Sequence, residues 1–504
     1  MRAATLPILF ASVAVLGTQA LGDARGSYDP RTLRLLDRLT FGVTASEADR
    51  FKQMGLERWL DYELRPPLAD DLPAPAEQEI DALAISQKPM AALVADFTAK
   101  SKALRTITDP DLKTAAAHAF GQEFNDLAKQ AAAREILRDL YSPYQLREVM
   151  TWFWLNHFNV FQAKGDIRAT IADYEDKAIR PHALGRFRDL IEATLRHPAM
   201  LRYLDNFQNA AGHINENYAR EIMELHTMGV GSGYTQQDVQ ELARILTGVG
   251  IDENPESPHL RPDLQGELVR DGLFEFNPAR HDYGDKIFLG HRIKGRGFAE
   301  VEEALDILTR SPATARHISR ELAMYFVADD PPQPLVDKMS AAFLSTDGDI
   351  AAVLRAMIEA PEFDSSAPKF KDPVRYVLSA VRLAYDKVIL NTTPIQNWLS
   401  RLGESPCGHE TPDGYSMISA SWDGPGQLAV RFEIARQIGW GSAGLFKPDE
   451  PGASDRPAFP LLENALYFDG LKQILKPATL SALAEAQSPQ EWNALFLSSP
   501  EFMR

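Results

Sequence analysis

Apolar residues recur at three- and four-residue intervals along most of the chain, the spacing that lines one face of an α-helix. The stretch TLRLLDRLTFGVTASEADRFKQMGLERWLDYEL (32–64) predicts a helix and a break at Gly42. A second, amphipathic helix follows, capped by Thr44 or Ser46, with acidic residues in its first turn. Residues 76–140, rich in Ala, Lys, Gln and Leu and broken at Pro110, predict a helical hairpin that projects as an arm. Four apolar runs end just before a proline, at Pro198, Pro312, Pro361 and Pro500. Proline is disfavoured inside a helix but suits its first turn, so each predicts a helix-to-helix corner. Their irregular spacing gives no solenoid. The clearest departure from helix is FEFNPARHDYGDKIFLGHRIKGRGF (274–298), whose KIFLG and HRIKG pieces predict a small β-hairpin near residues 286–296. The expected fold class is therefore mainly α, a large irregular multi-helix bundle with one hairpin. Residues 406–427 read as a long Gly-, Pro- and Ser-rich loop, a place where functional groups often sit.

The N-terminus changes the setting. MRAATLPILFASVAVLGTQALGDARG carries one arginine, an apolar run from Leu6 to Leu16 and a small-residue step at Thr18-Gln19-Ala20. This predicts a secretory signal peptide over residues 1–20. The run is shorter than the roughly 20 apolar residues of a comfortable membrane span, although retention as an uncleaved anchor is the alternative. The mature chain, 25–504, is expected to be one large helical domain, exported to the periplasm or beyond, with no stable membrane insertion after signal removal. Its single cysteine, Cys407, forms no intrachain bridge, so core burial must hold the fold. Fifty-three basic against 70 acidic residues give a net charge of −17, which repels nucleic acid and anionic lipid and does not oppose divalent cations.

Candidate chemistry begins at NENYAREIMELHTMGVGSGYTQQDVQELARILTG (215–248). On an ideal helix Asn217, Glu221 and Glu224 share one face, with Arg220 and Thr227 beside them, while His226 falls in the opposite apolar arc. Two carboxylates at i, i+3 bind a metal or divide acid and base duties; the plainer alternative is a solvated face paired with Arg220. For His226 the plain reading is a core histidine with one hydrogen bond. The following helix opens with Thr235 as N-cap and Asp238 three residues on, a capping box, so Asp238 reads as a cap. GVGSG lacks the lysine and hydroxyl of a phosphate loop.

Two further segments stand out. In MTWFWLNHFNVF (150–161), Asn156 and His157 sit among aromatic rings, where a polar pair is costly unless bonded. Trp154 and Asn156 are candidates for a substrate wall, and a satisfied core histidine is the alternative for His157. In NPARHDYGDKIFLGH (277–291), His281 and Asp282 are candidates for metal binding or acid–base work, against a turn in which Asp282 bonds local amides. HExxH, GxSxG, CxxC and GxGxxG in a supporting context are absent.

Taken in order, LRLLDRLTFGVT, MTWFWLNHFNVF, NENYAREIMELHTMGV with GYTQQDVQELARILTG, FNPARHDYGDKIFLG, DILTRSPATARHISRELAMYFV, TDGDIAAVLRAMIEAPEF and KDPVRYVLSAVR resemble a large bacterial family known as domain of unknown function 1800. NENYARE followed by GYT, and HD before KxFLG, are the most specific marks. The resemblance runs from about Thr32 to near Arg431; the arm at 76–140 and the C-terminal portion, 432–504, are less typical. It implies exported, mostly helical proteins whose genes often neighbour those of a second exported family with a phosphatase/sulfatase-like look. It implies no settled reaction. Two functions follow as expectations. The first is a metal-assisted hydrolase of an envelope or extracellular polymer. Its catalytic residues would be Glu221, Glu224, His281 and Asp282, its substrate contacts Asn156, Trp154 and Asn217, and its divalent-metal ligands His157, Glu221 and His281. The second is a non-catalytic binding or assembly partner of the co-encoded exported protein.

Overall fold

The helix Gln145–His157 is buried along its whole length except at Asn156, as its run of Leu, Val, Met, Trp and Phe on every side requires. In the computed structural model, which describes residues 28–252, 260–388, 390–441, 443–448, 452–454 and 459–504, the helices Pro30–Leu39, Leu56–Leu64 and Pro110–Tyr141 and the segment 174–182 pack against this one. The signal segment expected at 1–20 lies outside the described residues. Among the described residues no helix is long and apolar enough to cross a membrane.

A helix enclosed on all sides must have its free backbone donors met by protein. The Leu146 N–H donates to the buried Glu63 carboxylate at 2.7 Å, and the Gln145 side chain bonds the carbonyls of Asp139 and Ser142 at 2.9 and 3.0 Å. Glu148 meets Arg180 at 2.7 Å and Arg147 at 3.2 Å. Burial alone would raise the Glu148 pKa, but these guanidiniums bring it down to about 2. Arg134 and Arg138, from the helix Pro110–Tyr141, hold Glu175 at 3.1 and 2.9 Å and so bind a third segment to the same centre.

Local expectations from the hydrophobic pattern mostly appear as built structure. The chain breaks after Leu39, and at Gly42, φ +90°, a Cβ would collide with Ser379 of the helix Pro373–Tyr385. Helices start at Pro198, Pro312 and Pro361. Pro500 is the exception: it opens a turn after the helix Pro489–Leu497, because the residues beyond it fold back, with the Lys371 N–H on the Met503 carbonyl at 2.8 Å. Within 76–140, the helices Met90–Thr106 and Pro110–Tyr141 run against each other through Phe97, Phe120 and Phe124.

Among the described residues, five short strands complete the fold: β1 (Val249–Ile251), β2 (Val269–Asp271), β3 (Phe274–Phe276), β4 (Lys286–Phe288) and β5 (His291–Ile293). The β4–β5 hairpin is the predicted one, turning through Leu289 and Gly290, both at positive φ as a tight two-residue turn requires. The antiparallel β1–β3–β2 sheet was not expected from the sequence. The chain's distant parts also meet: the Tyr28 N–H donates to the Asp469 carbonyl at 2.8 Å, and the helix Pro30–Leu39 packs against residues 471–476.

Thr235 and Asp238 form the expected capping box, and Asp238 in addition accepts the Leu289 N–H at 2.8 Å, tying the cap to the hairpin turn. Thr235→Ala should therefore cost about 1 kcal/mol and Asp238→Ala roughly 2 kcal/mol in urea unfolding. Burial works against the Asp238 charge, but its bonds to Thr235 and Leu289 lower its pKa in the fold. Its contribution should thus be complete above about pH 4, the unfolded value, and fade as pH falls through the depressed folded value.

Candidate functional site

The segment carrying Glu221 and Glu224 departs from an ideal helix. Asn217–Glu221 is α-helical, and Ile222–Thr227 widens to a π-helix. The hydroxyl of Thr227 bonds the Ile222 carbonyl at 2.6 Å and the Met228 N–H bonds the Met223 carbonyl at 3.1 Å, both five residues back. Such wide turns often mark functional places in helices. They also shift the helical phase, so Thr227, expected beside the polar face, is fully buried. His226 is buried as expected, and among the described residues its Nε2 has no hydrogen-bond partner. Burial, with His157 and His317 nearby, drives its pKa well down, so the ring is neutral.

Asn217 belongs to a chain of amides. Its Nδ2 bonds the Leu204 carbonyl at 3.2 Å and its N–H bonds Asn215, which is held in turn by Asn209. The residue fixes the start of the helix. Glu224 is ion-paired to Arg220 at 3.3 Å, and its charge helps raise the Tyr234 pKa, behind burial. Glu221 is half-buried and, among the described residues, its carboxyl carries no hydrogen bond. Burial, then Glu224, raises its pKa; Arg220 opposes the shift and Asp413 adds to it.

Asp413 comes from the loop GHETPDGY (408–415), nearly two hundred residues away in sequence. Asn156 positions this loop by two bonds to Tyr415, from its Nδ2 to the carbonyl at 3.0 Å and from the Tyr415 N–H to its Oδ1 at 2.6 Å. Asn159 donates to the carbonyls of His409 and Thr411 at 3.0 and 2.8 Å. At Gly414, φ +69°, a Cβ would collide with the Asn156 carbonyl, so only glycine allows the approach. Within the loop the His409 Nε2 lies 2.9 Å from the Thr411 hydroxyl, which donates to Asp413 at 2.5 Å. The hydroxyl can accept only if His409 carries its proton on Nε2. Tyr203 lies between the two halves: burial, then Glu221 and Asp413, raise its pKa, and its hydroxyl bonds the Glu410 carbonyl at 2.7 Å. Glu221, Glu224, Asp413 and His409 thus form the candidate site. The loop's turn residues had marked it as a functional region, but nothing local named His409 or Asp413.

The other candidates serve the fold. Trp154, expected at a substrate wall, is fully buried with its indole N–H on the Ala183 carbonyl at 2.9 Å. Asn156 spends its side chain on the loop. His157 donates from Nε2 to the His226 carbonyl at 3.2 Å, and its Nδ1 meets Glu321 at 2.6 Å. His317 donates to the neighbouring Leu225 carbonyl at 3.1 Å. Two histidines thereby cap the free carbonyls at the end of the π-helix, and both rings lie beside Glu321.

His281 and Asp282 are similarly engaged. His281 bonds the Thr247 carbonyl at 2.8 Å through Nδ1 and Glu300 at 2.9 Å through Nε2, and Glu300 also receives Lys286 and the Arg296 N–H. The His281, Lys286 and Glu300 side chains are wholly excluded from solvent. Asp282 is held by Arg244 at 2.9 Å and by the Gly284 N–H at 2.8 Å. The bonding partners and ring neighbours of His157 and of His281 have no residue in common, and Glu221 is in neither set. The expected metal set of His157, Glu221 and His281 is therefore not assembled. Among the described residues no group of three or more His, Cys, Asp or Glu side chains is placed to hold a metal ion.

A helical bundle with a π-turned carboxylate pair under a loop is the class that geometry defines. The chain belongs to the family described as "Protein of unknown function (DUF1800)", which matches residues 34–504. The match includes the portion beyond Arg431 that the motifs had left outside. No curated protein and no solved structure matches the chain.

Glu300→Gln should lower stability by about 3–5 kcal/mol in urea unfolding, since it leaves the buried Lys286 ammonium without its carboxylate. Burial opposes the Glu300 charge, but His281, Lys286 and the Arg296 N–H lower its pKa. The loss should therefore be complete at neutral pH and shrink as the wild type is acidified below about pH 4.

Proposed function

We propose that the protein is an exported acid–base hydrolase of an envelope or extracellular polymer, with Glu221 as the proton donor. The observation that carries this reading is the Glu221 carboxyl, half-buried, without a hydrogen bond, and pushed toward its protonated form beside two further carboxylates. In the reaction, Glu221 gives its proton to the oxygen leaving the scissile C–O bond. Water attacks the carbon and yields its proton to the ion-paired Glu224, and the two products each end in a hydroxyl or carboxyl. Proton exchange through solvent then resets both groups. Asp413, steadied by Thr411 and His409, adds to the upward push that burial and Glu224 exert on the Glu221 pKa, and it disfavours anionic substrate, so the polymer is neutral or basic at the cleaved bond. The pathway uses carboxylates alone, in keeping with the scattered positions of the residues expected to bind metal.

One observation favours the competing reading, a non-catalytic partner of a co-encoded exported protein: His281, Asp282 and Asp238 in the family's motifs are all spent on internal bonds. Glu221→Gln separates the two. Because the folded pKa is raised, the ionised carboxylate costs stability above about pH 4 and nothing below it. The amide should raise the melting temperature at pH 7, leave it unchanged near pH 4, and reduce release of reducing ends from cell-wall and exopolysaccharide fractions by about 10²-fold or more. A melting temperature that falls at pH 7, or turnover that survives, would sink the catalytic reading.

A further inference from the structure

A cavity of about 670 Å³ lies where the helix Pro30–Leu39 meets residues 471–476 and 496–504, far in sequence from the loop and helix of the candidate site. Its volume falls within the roughly 300–1,000 Å³ typical of small-molecule sites. Leu33, Val43, Leu383, Leu471, Ile474 and Phe496 contribute apolar wall. The lining also holds Arg34, Arg38, Lys371, Lys476 and Arg504 against only Asp37 and Glu501, in a protein whose net charge is −17.

Both carboxylates are already engaged. Asp37 pairs with Lys371 at 2.9 Å, and Glu501 takes the Thr479 hydroxyl at 2.7 Å and the Lys476 backbone N–H at 3.4 Å. Arg38 is turned onto the carbonyls of Phe363, Ser366 and Ala367. Burial, then the charge of Arg34 nearby, lowers its pKa. Among the described residues the side-chain charges of Arg34, Lys476 and Arg504 have no hydrogen bond or ion pair, and all three are exposed along the cavity. Unfilled apolar wall favours a hydrocarbon, and uncompensated cations at its edge favour an anion. A ligand that satisfies both carries a chain and a charged head.

We infer that this cavity binds a single-chain amphiphilic anion, with the acyl chain against Leu33, Leu383 and Phe496 and a carboxylate or phosphate head at Arg34, Lys476 and Arg504. None of Glu221, Glu224, His409 or Asp413 lines it, so it stands or falls apart from the hydrolase reading.

Calorimetric titration of the full chain with octanoate, decanoate and dodecanoate, each below its micellar concentration, tests the inference. Affinity should rise about fourfold per added methylene, the equivalent of about 0.8 kcal/mol for each CH₂ buried. Dodecyl phosphate against dodecanoate distinguishes a lipid-type head from a free fatty acid, and the tighter of the two names the source. Dodecyltrimethylammonium, with the same chain and the opposite charge, should bind at least tenfold more weakly. The double charge reversal Arg34→Glu with Lys476→Glu, at two exposed positions, should cost tenfold or more in anion affinity without moving the melting temperature. No saturable binding of either anion, equal binding of the cation, or an unchanged affinity in the double variant would each overturn the proposal.

Discussion

A helix closed off from water on every side cannot leave a polar group to the solvent, and Gln145–His157 imposes that condition on much of its surroundings. Its first amides require Glu63, its Glu148 requires Arg180, and its His157 requires both a carboxylate and a carbonyl. Each partner comes from a different part of the chain. The burial of one helix therefore draws together the helix Leu56–Leu64, the turn Arg180–His182, the end of the π-helix and the helix Pro312–Phe326. Asn156, the one residue of this helix left partly open, reaches out to the loop that brings Asp413 toward Glu221. The candidate site is thus assembled at the single gap in an otherwise complete enclosure.

What could be read from the sequence was whatever depends on neighbours in the chain. The break at Gly42, the helices opening at Pro198, Pro312 and Pro361, the Thr235–Asp238 cap and the β4–β5 hairpin are all local. The π-turn was not legible, because apolar spacing is judged against 3.6 residues per turn and a short wide segment hardly alters it. That missing phase shift is why Thr227 was set beside the acidic face. The β1–β3–β2 strands are three residues each, too short for alternation to show.

Site residues divide along the same line. The carboxylate pair was visible because three residues separate it. His281 and Asp282 looked reactive for the same local reason, and their partners, Glu300 and Arg244, are supplied from elsewhere in the chain. A His-Asp dipeptide next to a glycine turn reads the same whether it faces a substrate or a buried glutamate. His409 and Asp413 present the reverse case, since their importance lies in where Asn156 and Asn159 hold them. The contrast also bears on energetics. Glu300 is an ion whose removal strands its partners, whereas Glu221 is an ion the fold holds at some cost, and such a cost is a frequent mark of function.

The meeting of the helix Pro30–Leu39 with residues 469–504 has a kinetic side. A chain grows from its N-terminus, so this helix is made well before its partner and waits until more than four hundred further residues have followed. Contacts of such separation form slowly, because the intervening loop must close before they return anything. The side of it that holds Leu33 against Gly470 lacks that partner until then. The seam that encloses the cavity is then the last part of the molecule to set.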